Sequence, residues 1–511
     1  MARTVVIGAG MGAMAAAARL AAAGHRVTVC ERSDTYGGAV RRHERDGFGF
    51  DTGPGLLHLP AVWRDLFVKT GREPLEECAG LERVEPAVRH VLADGTGLVL
   101  PGGSRARVVG ALDAAFGAGT GERWSELLVR AREVWEATRR PLLEEPLTAA
   151  ADRAALGRDP YPARRYGLLR RRAATLSRAV RAELRDPRPA ALLESCVLGW
   201  GLDPRTAPAS ALVLPYLEQT FGTWYVAGGL RALADAVHER CLARGVEFRF
   251  GTGVSRITVA GGRAAGVELA DGTGLAADTV VCGAGPRSPY EEEAPDGPGS
   301  PEGGGDAHRG PGSAPGRLTV LLALRGARPA GTAHRTVVHL SAPGKAVRTV
   351  TVLRPGDPAL VPDGGHESAV LSVTVPPHRA GAPRPGAVLT DPEWPEAVDW
   401  TAPGAAERLA DEALAAVDAA GEALGGRLLW REVRTPADTE RETGAPGGAV
   451  PAPALAGADG AFLRAANPAP LPGLYRVGGW AHPGGGLAHA GMSGALVAGL
   501  VVEGDGWRGS R

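Results

Sequence analysis

"VVIGAGMGAM", residues 5–14, runs strand-forming residues straight into three glycines within five positions. Thr4 to Ile7 reads as a buried strand. Gly12 to Ala23 is rich in alanine, the strongest helix former, and stops at Gly24, and Val27 to Glu31 reads as a second strand. The order strand, glycine turn, helix, strand is a βαβ unit, and in that setting each small residue has its own duty. Gly8 permits the tight turn, Gly10 lets backbone approach a pyrophosphate, and Ala13 fills the third position, where close helix-to-strand packing needs a small side chain. The helix that begins there turns its N–H groups and the positive end of its dipole toward the anion. Glu31 closes the second strand, where a carboxylate can accept hydrogen bonds from a ribose.

The rest of the chain bounds this reading. Its 511 residues exceed what one hydrophobic core usually holds, so two domains are expected. The 57 basic and 57 acidic residues balance, which leaves no electrostatic footprint for nucleic acid. Cys30, Cys78, Cys196, Cys241 and Cys282 are scattered without a C-x-x-C pair, so reduced thiols and no metal site are expected. No signal-peptide pattern fits the first residues, and no apolar run reaches the ~18 residues of a membrane span. A cytoplasmic protein is expected. Leu169, Ala173, Leu176, Val180 and Leu184 recur at helical spacing among arginines. That basic amphipathic helix can rest on the inner face of an anionic membrane, or pack its stripe into a core.

A second ordered block spans Tyr225 to Gly285, with a helix over Leu230 to Ala243 followed by short alternating strands. Residues 110–220 are helical in pattern, whereas 317–378 alternate like strands. Pro286 to Gly316 has almost no large apolar residue and is expected to be a disordered insertion. Near the C-terminus, "LYRVGGWAHPGGGLAHAGMSGALVAGLV" repeats the opening logic: a strand ending at Gly478, a glycine loop, then a helix from about Ala490. A second glycine pair, Gly37 and Gly38, follows Glu31, and "GFGFDTGPGLL" adds Asp51, Gly53 and Pro54. Such repeated backbone openings suit an extended FAD better than a nicotinamide dinucleotide.

Together, "VVIGAGMGAMAAAARLAAAGHRVTVCERSDTYGGAV", "GFGFDTGPGLL", "TWYVAGGLRALADAV", "VVCGAGP" and the closing "HPGGG" resemble the FAD-dependent phytoene desaturase family, within the amine-oxidase-like flavoproteins. The resemblance implies an α/β fold: a Rossmann-like FAD-binding domain of glutathione-reductase type from residues 1–75, 221–286 and 445–505, and an inserted α+β substrate domain from 76–220 and 317–444, with 287–316 as the disordered insertion. It places Gly8, Gly10, Met11, Gly12 and Ala13 along the pyrophosphate, Glu31 and Arg32 at the ribose end, and Val254 at the adenine. Gly37, Gly38, Gly53 and Pro54 flank the linker, and Gly479, Trp480, Leu487 and Met492 the flavin end, where Trp480 can face the flavin or pack under the helix. Family members carry Arg directly after the glycine pair; here Ala39 stands there, and Arg41 or Arg42 can supply the charge.

By the same resemblance the partner is a long apolar polyene, and the expected reaction is carotenoid-type desaturation. A conjugated polyene activates its own C–H bond, so little acid–base machinery is needed. His482 is the nearest candidate for proton handling, its ordinary pKa lying near neutrality. Glu218 and Gln219 border the expected substrate channel, with a solvated loop as the plainer reading of Glu218. Two alternatives stay open: reductive cyclisation of a polyketide polyene such as a tetramate macrolactam, with NADPH as a transient reductant, and a non-catalytic prenyl-lipid binder. An amine oxidase would want a lysine near the flavin, and neither Lys69 nor Lys345 is well placed. No feature fixes an oligomeric state.

Overall fold

The computed structural model describes residues 2–147, 150–166, 169–171, 173–285, 314–342, 344–383, 389, 394–504 and 506–509. Its organising element is a parallel sheet of five strands, in the order Glu247–Arg249, Arg26–Cys30, Arg3–Ile7, Thr279–Cys282 and Leu474–Arg476. Strands from the start, middle and end of the chain therefore lie side by side. Val5, Val6 and Ile7 are all buried because both faces of the sheet are covered, which is why the first strand reads as an unbroken apolar run.

The helix Met11–Ala22 packs on this sheet between the helices Leu230–Ala243 and Leu487–Glu503. Its alanines are what allow close approach on two sides: Ala13 to Ala18 are all buried. Contact with the closing helix is backbone to backbone. A Cβ on Gly494 would stand 2.6 Å from the carbonyl oxygen of Gly12 and 2.8 Å from the Cβ of Ala15. The helix Leu230–Ala243 is held at its start by Asp51, whose carboxylate accepts from the N–H groups of Leu230 (2.7 Å) and Arg231 (3.2 Å).

A second layer is a mixed sheet of seven strands, ordered Leu428–Arg434, Gly316–Arg325, His366–Val375, Thr349–Leu353, Arg335–His339, Val88–Val91 and Gly97–Leu100. In its strand Gly316–Arg325, Leu318, Val320 and Leu322 pack with the helix Ala405–Ala419, while Leu321 and Ala323 pack with Phe48 and Phe50. The two-residue alternation thus feeds two separate cores. The helices Arg105–Phe116, Thr120–Arg139, Leu176–Leu184, Pro187–Gly199 and Val213–Phe221 form a further layer around Trp124, Leu127, Leu193 and Leu214. A three-stranded sheet of Leu57–His58, Thr223–Val226 and Leu81–Arg83 joins this layer to the parallel sheet.

Two sequence expectations change. The amphipathic helix over Leu169 to Leu184 is divided: Leu169–Arg171 pairs as a strand with Arg164–Tyr166, and the helix runs only over Leu176–Leu184. Thr175 sets its start by accepting from the N–H of Arg178, and Leu176, Val180 and Leu184 are taken up by the core. Arg181 on the same helix pairs with the buried Glu194 at 2.9 Å. No helix among the described residues is long and apolar enough to cross a membrane. The insertion expected over 287–316 lies outside the described residues up to 313, and Gly316 already opens a strand.

Candidate functional site

The first glycine turn is built by hydrogen bonds that leave one side open. Gly8 takes a φ of +88°, reached without strain only by glycine, and its N–H donates to Cys30 O at 2.8 Å. Gly10 caps the helix Met11–Ala22, and a Cβ built on it would meet nothing within 4 Å, so space lies open in front of it. The first bond of the helix runs from Met14 N–H to Gly10 O (2.9 Å), which leaves the amides of Met11, Gly12 and Ala13 directed out of the helix end. The Cβ of Ala13 sits close under Gly283, at the end of the neighbouring strand.

Glu31 stands just past the second strand and is pinned on three sides. One carboxylate oxygen accepts from Ala9 N–H (2.7 Å), and the other from the N–H and hydroxyl of Ser33 (2.8 and 2.9 Å). Glu31 therefore also buttresses the glycine turn. The loop after it closes on the same turn: Gly37 N–H donates to Ala9 O (2.8 Å), and a Cβ on Gly38 would lie 3.1 Å from the Cα of Gly10. Gly53 presses on Ala39, where a Cβ would fall 1.9 Å from the carbonyl oxygen, with Pro54 next to it. The arginines here lace the loop. Arg41 donates to Gly38 O, Ser33 Oγ and Glu442 O, Arg42 to Gly228 O, and Arg32 to Arg441 O. Val254 opens the strand Val254–Ala260 opposite Leu269.

The C-terminal loop reaches the same place. A Cβ on Gly12 would lie 2.8 Å from Ala490 O and 3.0 Å from the Cα of Gly478. The closing helix starts at Leu487, three residues before the expected position, with Leu487 and Met492 half-buried at its beginning. Gly479 and Gly485 crowd Pro451, and Trp480 is half-buried beside Gly285. Two residues that sequence reading passed over fasten this loop. Ser493 Oγ accepts from Gly478 N–H (3.0 Å), and the fully buried Asn467 donates to Ser493 Oγ (3.2 Å) and His482 O (2.8 Å).

His482, the proton-handling candidate, is completely buried, with Nε2 3.0 Å from Glu145 O. Burial lowers its pKa to about 4 against the opposing pull of that carbonyl, which favours the neutral ring. Lys69 and Lys345 are exposed.

Glu218 departs furthest from its plain reading. It lies in the helix Val213–Phe221 with its side chain 14% exposed, and one carboxylate oxygen accepts from Arg335 (2.9 Å) and the other from Trp200 Nε1 (3.2 Å). His58 Nε2 is 3.8 Å away, and its ring centroid is 5.1 Å from that of Trp200. Burial by itself would raise the pKa of Glu218, but the Arg335 guanidinium and then His58 bring it down to about 2. Burial lowers that of His58, with Glu218 opposing. The Trp200 ring in turn lies against Gly486, at the start of the closing helix. This cluster borders a cavity of about 450 Å³, whose walls include Trp124, Cys196, Glu218, Gln219 and Arg335. The nine-residue helix places Leu214 and Leu217 in the core, and that register is the trace in the sequence from which Glu218 could have been found.

A family model described as flavin containing amine oxidoreductase matches residues 14–290. The 4,4'-diapolycopene oxygenase of Methylomonas sp is 31% identical over 55% of this chain, and the zeta-carotene-forming phytoene desaturase of Myxococcus xanthus 31% over 57%. These matches span 55% and 54% of the relatives' own lengths. The hydroxyneurosporene desaturase of Rubrivivax gelatinosus is 28% identical over 97% of this chain and 92% of its own. Among solved structures, an oxidoreductase from Methanosarcina mazei shares the fold with a TM-score of 0.62 at 18% identity, covering 97% of this chain and 99% of that one. A putrescine oxidase bound to putrescine does so with 0.63 at 15%, covering 98% and 99%.

The open space at Gly10 gives a clean test. Gly10→Val should leave the stability of the apoprotein within about 0.5 kcal/mol in urea unfolding, since a Cβ there has no atom within 4 Å, yet abolish flavin uptake measured by absorbance after reconstitution. Glu218→Gln should cost about 3 kcal/mol at pH 7, because it strands the Arg335 charge. Glu218 stays ionised in the fold down to about 2, below the usual 4.5. Its contribution is therefore complete above pH 4.5 and fades as pH falls toward 2, so the gap between variant and wild type should narrow over that interval.

Proposed function

Because the chain belongs to the flavin-containing amine oxidoreductase family, we propose that it is an FAD-dependent oxidoreductase that moves a hydride between the flavin and a long conjugated polyene of carotenoid type. The observation that carries this reading is the contact of Gly12 with Gly478 and Ala490, which brings the N-terminal turn and the C-terminal loop to one place, while Trp200, against Gly486 of that loop, donates to Glu218 on the cavity wall. The names of the relatives, desaturases and oxygenases of carotenoids, supply the substrate class.

The chain has the features to hold FAD. The amides of Met11, Gly12 and Ala13 and the open face of Gly10 would take the pyrophosphate, Glu31 the ribose on its remaining acceptor position, and Val254 the adenine. Gly37, Gly38, Gly53 and Pro54 would give passage to the linker, and Gly479, Leu487 and Met492 would border the ring system. Bound there, the flavin supplies a two-electron hydride acceptor or donor.

The remaining chemistry belongs to the polyene and to the side chains around it. A polyene that gives up hydride spreads the resulting charge over its double bonds and then sheds a proton, which asks for only a weak base. His58 fits that need: it is neutral, its Nδ1 has no hydrogen-bond partner, and Glu218 stands beside Nε2 to stabilise the protonated ring. The Trp200 ring packs against those of His58 and, in the closing helix, His489, with centroids 5.1 and 6.1 Å away.

Anaerobic mixing of the FAD-loaded protein with phytoene and, separately, with NADPH tests the assignment. Bleaching of the flavin by phytoene is the expected result. Fast bleaching by NADPH with no response to phytoene would overturn the desaturase reading and favour reductive chemistry on another polyene.

A further inference from the structure

One polar group on the cavity wall would be stranded by a hydrocarbon. Trp124, almost fully buried, donates its Nε1–H to Gln219 Oε1 at 3.2 Å, and both residues line the cavity. An indole nitrogen can only donate, so the atom it meets on Gln219 is the amide oxygen, and the NH2 group is the free end of that side chain. Gln219 is half-buried in the helix Val213–Phe221, and its NH2 has no partner among the described residues. Ser125, the buried residue after Trp124, lines the same cavity, and its hydroxyl is likewise unpartnered among the described residues. The charged groups of this wall differ. Glu218 and Arg335 satisfy each other, and Arg83, Arg105 and Arg132 stand at exposed positions where water solvates them. Leu128, Leu192 and Leu193 supply apolar wall to the cavity.

An amide that faces water loses nothing, but the same amide covered by hydrocarbon loses its hydrogen bonds, at a cost of roughly five- to a hundredfold in affinity. A ligand with an acceptor oxygen avoids that loss, and a site built around such a bond discriminates strongly against the analogue that lacks it. We infer that Gln219 is a specificity-determining residue, whose NH2, fixed as the free end of the amide by Trp124, donates to a neutral oxygen, an ether, carbonyl or hydroxyl, carried by the conjugated substrate. No charge is needed for this recognition. The inference rests on the polyene reading above and narrows it from a bare hydrocarbon to an oxygen-bearing polyene.

Binding of retinyl methyl ether and of the hydrocarbon in which a CH2 replaces its ether oxygen tests this on the FAD-loaded protein. Both are followed by quenching of tryptophan fluorescence, each corrected for its partition into the delivering detergent. The ether should bind at least about fivefold more tightly than the hydrocarbon, and in Gln219→Met, which keeps the shape of the side chain but not the donor, that ratio should fall to about one. A residue that only supports the fold would weaken both ligands together and leave the ratio in place, so a ratio that survives in Gln219→Met would overturn the inference. Equal binding of the two ligands by the wild-type protein would overturn it without recourse to any variant. Equal binding by a protein whose flavin is bleached by phytoene removes this inference and leaves the redox reading standing. Preference for the ether in a protein whose flavin responds to no polyene does the reverse.

Discussion

The first and last helices touch through their backbones, and the site depends on that contact. Gly12 and Gly494 give the closing helix room to lie against Met11–Ala22, and Gly12 also admits the carbonyl of Ala490 and the Cα of Gly478. Any larger residue would push the C-terminal loop off the turn at Gly8 to Gly10, and the cofactor space would lose one wall. Alanine at 15 to 18 extends the same logic along the helix. Tight packing here converts two glycine-rich segments from opposite ends of the chain into one binding surface.

Beyond that surface the protein places an ion pair where a lipid-like ligand would be expected to meet only apolar walls. Glu218, Arg335, Trp200 and His58 form a connected cluster from the cavity to the start of the closing helix. A buried pair of this kind is a poor source of stability compared with packed apolar side chains, so its presence points to recognition or chemistry. His58, which burial holds toward the neutral form, gives the chemistry a proton acceptor that leaves the charge balance unchanged until reaction.

Much of the nucleotide half was legible in the sequence because its constraints are local. Strand, turn, helix and acid follow one another within Thr4 to Glu31, and each position has a steric reason that a single residue type satisfies. The helix Leu230–Ala243 was legible for the same reason. The region around the cavity was not. Thr175 and the strand Leu169–Arg171 broke what helical spacing alone read as one helix. The sequence shows His482 as part of a glycine loop, and nothing local reveals that the carbonyl of Glu145 lies against it. Glu218 finds Arg335 across 117 residues, and Asn467 reaches Ser493 from another loop. Such pairs exist only once the tertiary fold is set.

Hydrogen exchange read at individual segments, before and after addition of FAD, addresses the central claim most directly. If one dinucleotide is held between the two ends of the chain, exchange should slow together in residues 8–13 and in residues 479–492. Slowing confined to the N-terminal turn, or absent from both, would contradict the account.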